Sequence, residues 1–197
     1  LREGVVFEWP VASDSIFRKE VAGGGILTDV GVHVLDMLLW WLGDYDSVEY
    51  YDDAMGGVEA NCELHLRLQC GASGIVELSR TRNLRNTCII HGERGILQIG
   101  TNFNPLLRLR IKGQDIALAG QAMRAGAADG TVQNVFLRQF EDFVDAISTY
   151  REPFIPGWEG RRSVELIEAC YALRQQLKLP WMLLGMPMCS ALDDGLI

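Results

Sequence analysis

Asp29, His33, Asp36 and Trp40 are spaced by four, three and four residues inside an otherwise apolar run. At about 100° per residue they fall in one narrow sector of a helix. A histidine one turn from a carboxylate is the common proton-transfer element near neutral pH. The rest of the wheel holds Ile26, Leu27, Val30, Val34, Leu35, Met37, Leu38, Leu39, Trp41 and Leu42, and a helix apolar nearly all round sits inside its protein. Asp29 and His33 are therefore expected to be at least partly desolvated, where an ionisable pair either finds hydrogen-bond partners or shifts its pKa. Spacing alone leaves two readings open. The pair is an acid/base site, or Asp29 braces the helix start while His33 is a satisfied core histidine.

Gly23-Gly24-Gly25 precedes this helix and Gly43-Asp44 stops it. The triplet either lets backbone approach a ligand closely or permits a tight turn into the helix. Strand signals follow. Ser47 to Tyr51 is a short aromatic and β-branched run. From Glu59 to Leu68 the alternation is strict, with Ala60, Cys62, Leu64, Leu66 and Leu68 on one face and Glu59, Asn61, Glu63, His65 and Arg67 on the other, the pattern of a half-buried antiparallel strand. Ile75–Leu78, Thr87–Ile90, Ile96–Ile99 and Leu107–Ile111 read as further strands of a meander, separated by glycine turns. Arg108, Arg110 and Lys112 give the last of them a solvated basic face.

Thr131 to Tyr150 returns to helical spacing. Val132, Val135, Phe136, Phe140, Phe143, Val144 and Ile147 form one stripe, which predicts an amphipathic helix lying on the sheet. Pro153 to Gly157 breaks the chain, and Glu159 to Leu177 reads as a second helix. The order of helix, antiparallel strands and two helices is α+β, a large mostly antiparallel sheet with helices packed on one face. Residues 1–178 form this domain. Residues 179–197, rich in Trp and Met with no clear period, read as an apolar tail or arm that docks on the sheet or on a second subunit.

A chain of 197 residues with 48% hydrophobic and 22% charged content can bury a sizeable core without staples. A formal net charge of -8 argues against a nucleic-acid or anionic-membrane surface. The expected partner is a small molecule or another protein. Five cysteines with no CxxC pair are read as reduced thiols. The longest apolar run, Val34 to Leu42, falls short of the roughly 20 residues that span a bilayer, and no signal peptide is visible. These features predict a soluble cytoplasmic protein. The chain opens on Leu1, almost inside the strand-like run Val5 to Trp9, and reads as the continuation of something before it.

The segment from Gly23 to Asp36, with its trailing Trp40-Trp41-Leu42-Gly43, resembles the signature of the glucose-fructose oxidoreductase / inositol dehydrogenase / MocA family. Ile90 to Leu97 resembles that family's glycine-bracketed strand turn, and Pro153 to Tyr171 its closing segment and last helix. The resemblance implies the family's C-terminal domain, whose sheet shapes the substrate pocket and often mediates oligomerisation, without the Rossmann domain that holds NAD or NADP. No GxGxxG in a βαβ context occurs here, nor the family's Glu-Lys-Pro motif.

By the same resemblance Asp29 and His33 match the family's catalytic pair. His33 would act as acid/base at a sugar or polyol hydroxyl and Asp29 would orient the substrate. Gly25, Asp36, Arg80 and Arg82 are candidate substrate-binding residues, and Arg85 follows on the same strand end, though arginines there are usually solvated. Asp36 reads better as a brace. NAD or NADP belongs to the intact parent and is not expected to bind this chain tightly; homo-oligomerisation through the sheet is expected. Two other functions compete: a stand-alone, non-catalytic binding or dimerisation module, and a metal-dependent hydrolase using Asp29, His33 and Asp36. The last is disfavoured because one histidine and two carboxylates on one helix make a poor zinc site, and no metal is expected.

Overall fold

A computed structural model describes residues 1–6, 14–54, 57–101, 106–116 and 132–178. The apolar tail 179–197 and part of the strand-like run at Phe7–Trp9 lie outside these residues. The chain begins with strand β1 (Arg2–Gly4), followed by a 3-10 turn (Asp14–Phe17) and a one-turn helix α1 (Lys19–Ala22). A π-type turn (Leu27–Gly31) then leads into α2 (Val32–Leu42). Strands β2 (Tyr45–Asp52), β3 (Asn61–Leu68), β4 (Ser73–Ser79), β5 (Thr87–Gly92), β6 (Gly95–Gly100), β7 (Leu107–Ile111) and β8 (Gln114–Ile116) follow. Helices α3 (Val132–Thr149) and α4 (Gly157–Ala172) and strand β9 (Arg174–Gln176) complete the order.

The strands form one sheet in the order β8-β7-β6-β5-β1-β4-β3-β2-β9. Neighbours are antiparallel except at two places. β1 runs parallel to β4, pairing Arg2 with Glu77, and β9 runs parallel to β2, pairing Tyr50 with Arg174. The expected meander is therefore closed at one flank by a strand from the end of the chain and opened between β4 and β5 for a strand from its beginning. The predicted helix to Leu177 stops at Ala172 because the chain turns there to give β9.

The alternation in β3 holds from Cys62 onward, whereas Asn61, read as outward, is buried. Cys62, Leu64, Leu66 and Leu68 are buried, and His65 and Arg67 face outward. Glu59, read as an outward strand residue, lies ahead of the strand and is buried instead. Val34, Leu35, Leu38 and Leu39 of α2 and Leu166, Ile167 and Cys170 of α4 close over the inner face of the sheet to form one core. Arg162 of α4 fastens the two helices: it donates to the Leu39 carbonyl at 3.1 Å and to Asp44 at 2.7 Å, a cation at the carbonyl end of α2.

Two expectations are corrected by burial. The stripe Asp29, His33, Asp36 and Trp40 does share a face, but that face is exposed, Trp40 by 69%. The inward half of the helix, from Ile26 to Leu39, is enough to fill the core, so the polar stripe is left in solvent. Likewise α3 has the predicted amphipathic pattern, yet Phe136, Phe140, Phe143 and Ile147 stand exposed rather than lying on the sheet. The segment Lys19–Leu42 is long and apolar enough to cross a membrane by composition. It is not one helix, since Gly23 ends α1 with φ 73°, and its apolar side is spent on the core.

Candidate functional site

The turn that carries Asp29 begins at the glycine triplet. Gly25 approaches residue 59 so closely that a Cβ there would stand 2.0 Å from the Glu59 carbonyl oxygen, and a Cβ on Gly24 would stand 2.0 Å from the Tyr171 hydroxyl. Of the two uses read for the triplet, tight packing into the helix is the one this geometry supports. Thr28 donates its hydroxyl to the Gly25 carbonyl at 3.0 Å, and the Asp29 N–H donates to the same carbonyl at 3.2 Å. The first turn is thus pinned at its start while the Asp29 side chain projects outward.

Arg80, at the end of β4, reaches this carboxylate and donates from Nη2 to Asp29 Oδ2. The two residues are 51 positions apart in sequence. Arg80 is mostly covered, its side chain 16% exposed, against 62% for Asp29. An ion pair with one partner so open is worth about 0–1 kcal/mol, so a substrate group can displace either partner at small cost. Around the pair lies a hollow of about 390 Å³ lined by Ile16, Ala22, Gly24, Gly25, Thr28, Asp29 and Arg80.

Of the residues singled out in the sequence, Asp29, Gly25 and Arg80 meet at this hollow. His33 and Asp36 continue the exposed stripe from it and do not line it. Arg82 is turned elsewhere: it donates to Glu77 at 2.7 Å and to Asn61 at 3.2 Å, tying the end of β4 to β3. Among the described residues no group of three His, Cys, Asp or Glu side chains gathers to hold a metal ion.

Sequence reasoning missed two acidic residues here. Glu3 of β1 is half-buried; burial raises its carboxyl above the ordinary value, while the Thr101 hydroxyl and the charge of His33 pull it down. Thr101 is close enough for that influence but short of hydrogen-bond geometry. Glu3 comes from a strand too short to announce itself. The second is Glu59, whose Oε1 accepts from the N–H groups of Gly25 and Leu27 at 2.8 and 3.0 Å. No local spacing marks it.

Glu59 also decides what the glycine-rich turn can hold. Free amides at a helix start are a ready anion site, but here a carboxylate already occupies those of Gly25 and Leu27. The residues present do not fit the pyrophosphate of a dinucleotide at this turn.

Residues 5–98 match the family described as GFO/IDH/MocA C-terminal domain. Among solved structures, the chain is similar to an aldose-aldose oxidoreductase from Caulobacter crescentus complexed with glycerol, at 22% identity and TM-score 0.69, covering 87% of this chain and 51% of that one. It is similar to levoglucosan dehydrogenase in complex with NADH and levoglucosan, at 20% identity and TM-score 0.66, covering 88% and 56%. It is also similar to the WlbA dehydrogenase from Bordetella pertussis in complex with NADH and UDP-GlcNAcA, at 20% identity and TM-score 0.65, covering 87% and 53%. The chain spans about half the length of these proteins. Residues 5–98 are thus similar to the GFO/IDH/MocA C-terminal domain, and the chain shares its fold with these solved structures.

Proposed function

We propose that this chain is the substrate-binding and oligomerisation domain of an NAD(P)-dependent oxidoreductase acting on a sugar, sugar derivative or cyclitol, and that it is inactive without a dinucleotide-binding half. The observation that carries the reading is the open polar stripe of α2 beside the hollow. A helix that fills a core on one side keeps Asp29, His33 and Asp36 in solvent on the other, with Arg80 brought to Asp29 from a distant strand. The solved neighbours crystallised with NADH, glycerol or levoglucosan lend support to the substrate class.

In this reading His33 takes or returns the proton of a substrate hydroxyl. Asp29 accepts a hydrogen bond from a neighbouring hydroxyl, and Arg80 supplies a donor to the same polyol. Proton transfer by a placed histidine is worth roughly 10²–10⁴ in rate. Asp36 braces the stripe. Residues 1–178 are the working domain and 179–197 an arm; the location is the cytoplasm.

Oligomerisation would use the outer face of the sheet. Ser47, Glu49, His65, Arg67 and Ile75 border an open hollow of about 370 Å³ there, and Ile75 and Ile89 are about half exposed.

The test is to supply this chain with a separately produced dinucleotide-binding domain, NAD or NADP, and a panel of sugars and cyclitols, and to follow absorbance of the reduced nicotinamide. Turnover of at least one substrate is expected; a well-assembled pair that oxidises none of them contradicts the reading. A second reading, a stand-alone binding module, is favoured by one observation: the helix-start amides are filled by Glu59. It predicts polyol binding by this chain alone, with no gain of activity on assembly.

A further inference from the structure

Glu59 is a carboxylate sealed from solvent, 1% exposed, in the connection between β2 and β3. Such a group is costly unless its oxygens are bonded. One oxygen is heavily used: Oε1 accepts from the Gly25 and Leu27 amides at 2.8 and 3.0 Å and from the Tyr171 hydroxyl at 2.8 Å. The other, Oε2, accepts no hydrogen bond and stands 3.9 Å from Arg174 Nη2. The backbone contributes as well, since the Ile26 N–H donates to the Glu59 carbonyl at 2.9 Å. Three consecutive amides at the start of the Asp29 turn therefore end on one residue.

The next residue holds the other half of the site. The Arg80 N–H donates to the Ala60 carbonyl at 2.9 Å. Residues 59 and 60 thus grip the turn that presents Asp29 and the strand end that presents Arg80. The grip is itself braced. Asp53 Oδ1 accepts from the Ala60 and Asn61 amides at 2.8 and 2.9 Å, and the Arg174 guanidinium stacks 4.8 Å from the centre of the Tyr171 ring.

We infer that Glu59 is a positioning residue, which sets the Asp29 turn in register with Arg80 and is held to that task by Tyr171 and Arg174. For its effect on turnover the inference rests on the function proposed above; the positioning itself is read independently of activity.

In the 197-residue chain, amide hydrogen exchange at Gly25, Ile26 and Leu27 is compared between the native protein, Glu59→Ala and Glu59→Gln, with urea stability measured alongside. In Glu59→Ala the Gly25 and Leu27 amides exchange at least tenfold faster while Ile26, bonded to the backbone carbonyl, stays within about threefold; tenfold corresponds to about 1.4 kcal/mol. Glu59→Gln restores protection, because an amide oxygen still accepts. If the alanine variant does not fold, Tyr171→Phe, which removes one bond to Oε1, is expected to quicken the same two amides and spare Ile26. Unchanged exchange at Gly25 and Leu27, or equal acceleration of all three amides, overturns the inference and leaves Glu59 an ordinary core residue. In the reconstituted oxidoreductase, Glu59→Ala raises KM and lowers kcat/KM, and Glu59→Gln recovers both. A native protein that turns over no polyol refutes the proposed function, and the exchange pattern then still decides the role of Glu59.

Discussion

Replacing Gly25 by alanine is the sharpest local test of how the site is built. The added Cβ would meet the Glu59 carbonyl oxygen at 2.0 Å and its nitrogen at 2.6 Å. Both are backbone atoms, so no rotamer change relieves the clash, and the two segments must part by more than an ångström. Overpacking costs about 1–3 kcal/mol. Parting also stretches the Ile26 bond to that carbonyl and the two amide bonds to Glu59 Oε1, at about 1 kcal/mol each. The expected loss is roughly 4–6 kcal/mol, a large share of the ~5–15 kcal/mol that holds a domain together.

Its neighbours supply the scale. At Gly24 the obstacle is the far end of the Tyr171 side chain, which can swing away from Glu59 for about 1–2 kcal/mol. At Gly23 nothing lies within 4 Å and only the left-handed backbone, φ 73°, is strained, about 1 kcal/mol. Urea unfolding followed by circular dichroism should rank Gly25→Ala far below the other two, with its midpoint lowered by ~1 M or more at typical slopes. A Gly25→Ala variant as stable as Gly23→Ala would refute the close approach of residues 25 and 59.

Alkaline pH should unfold the chain. Burial pushes the Cys170 thiol up to about 12 from 9.0, and burial likewise raises Tyr50, Tyr171 and Cys62. Groups whose folded pKa is raised give stability that is whole below the unfolded pKa and lost as pH climbs toward the folded one, on the order of 4 kcal/mol for Cys170 by about pH 12; urea midpoints unchanged from pH 8 to 11 would contradict this. Arg82→Gln should cost about 1–2 kcal/mol through the lost Glu77 and Asn61 bonds and leave polyol affinity unaltered in calorimetry. A fall in affinity without a loss of stability would put Arg82 back in the site. Ile75→Asp, on the outer face of the sheet, should turn an oligomer into a monomer in sedimentation experiments, and an unchanged assembly would remove that face from consideration.

What was legible in the sequence was whatever repeats over a short distance. The alternation of Asn61–Leu68 gave β3 and its buried face, and the step of four, three and four gave the shared stripe of α2. What repeats over no distance was hidden. β1 and β9 have three residues each and exist because distant partners on β4 and β2 supply the hydrogen bonds. Glu59 fits the alternation that leads into β3, which points it outward; the amides of Gly25 and Leu27, more than thirty residues earlier, draw it inside.

The stripe of α2 and the apolar face of α3 teach a second lesson. A helical period shows which residues share a face, but not whether anything covers it. Asp29 and His33 were expected in a desolvated setting because their helix is apolar nearly all round, whereas the core is closed by its other side. The Asp29–Arg80 pair joins a helix to a strand end 51 residues away, and only the folded sheet brings them together.

The most direct test of the central claim is hydride transfer in the reconstituted protein with His33→Asn beside the native chain, measured on whichever sugar or cyclitol the native pair oxidises. A kcat lower by about 10²-fold or more with substrate affinity kept is expected. A variant that turns over at the native rate would contradict it, and His33 would then be no more than an exposed residue of α2.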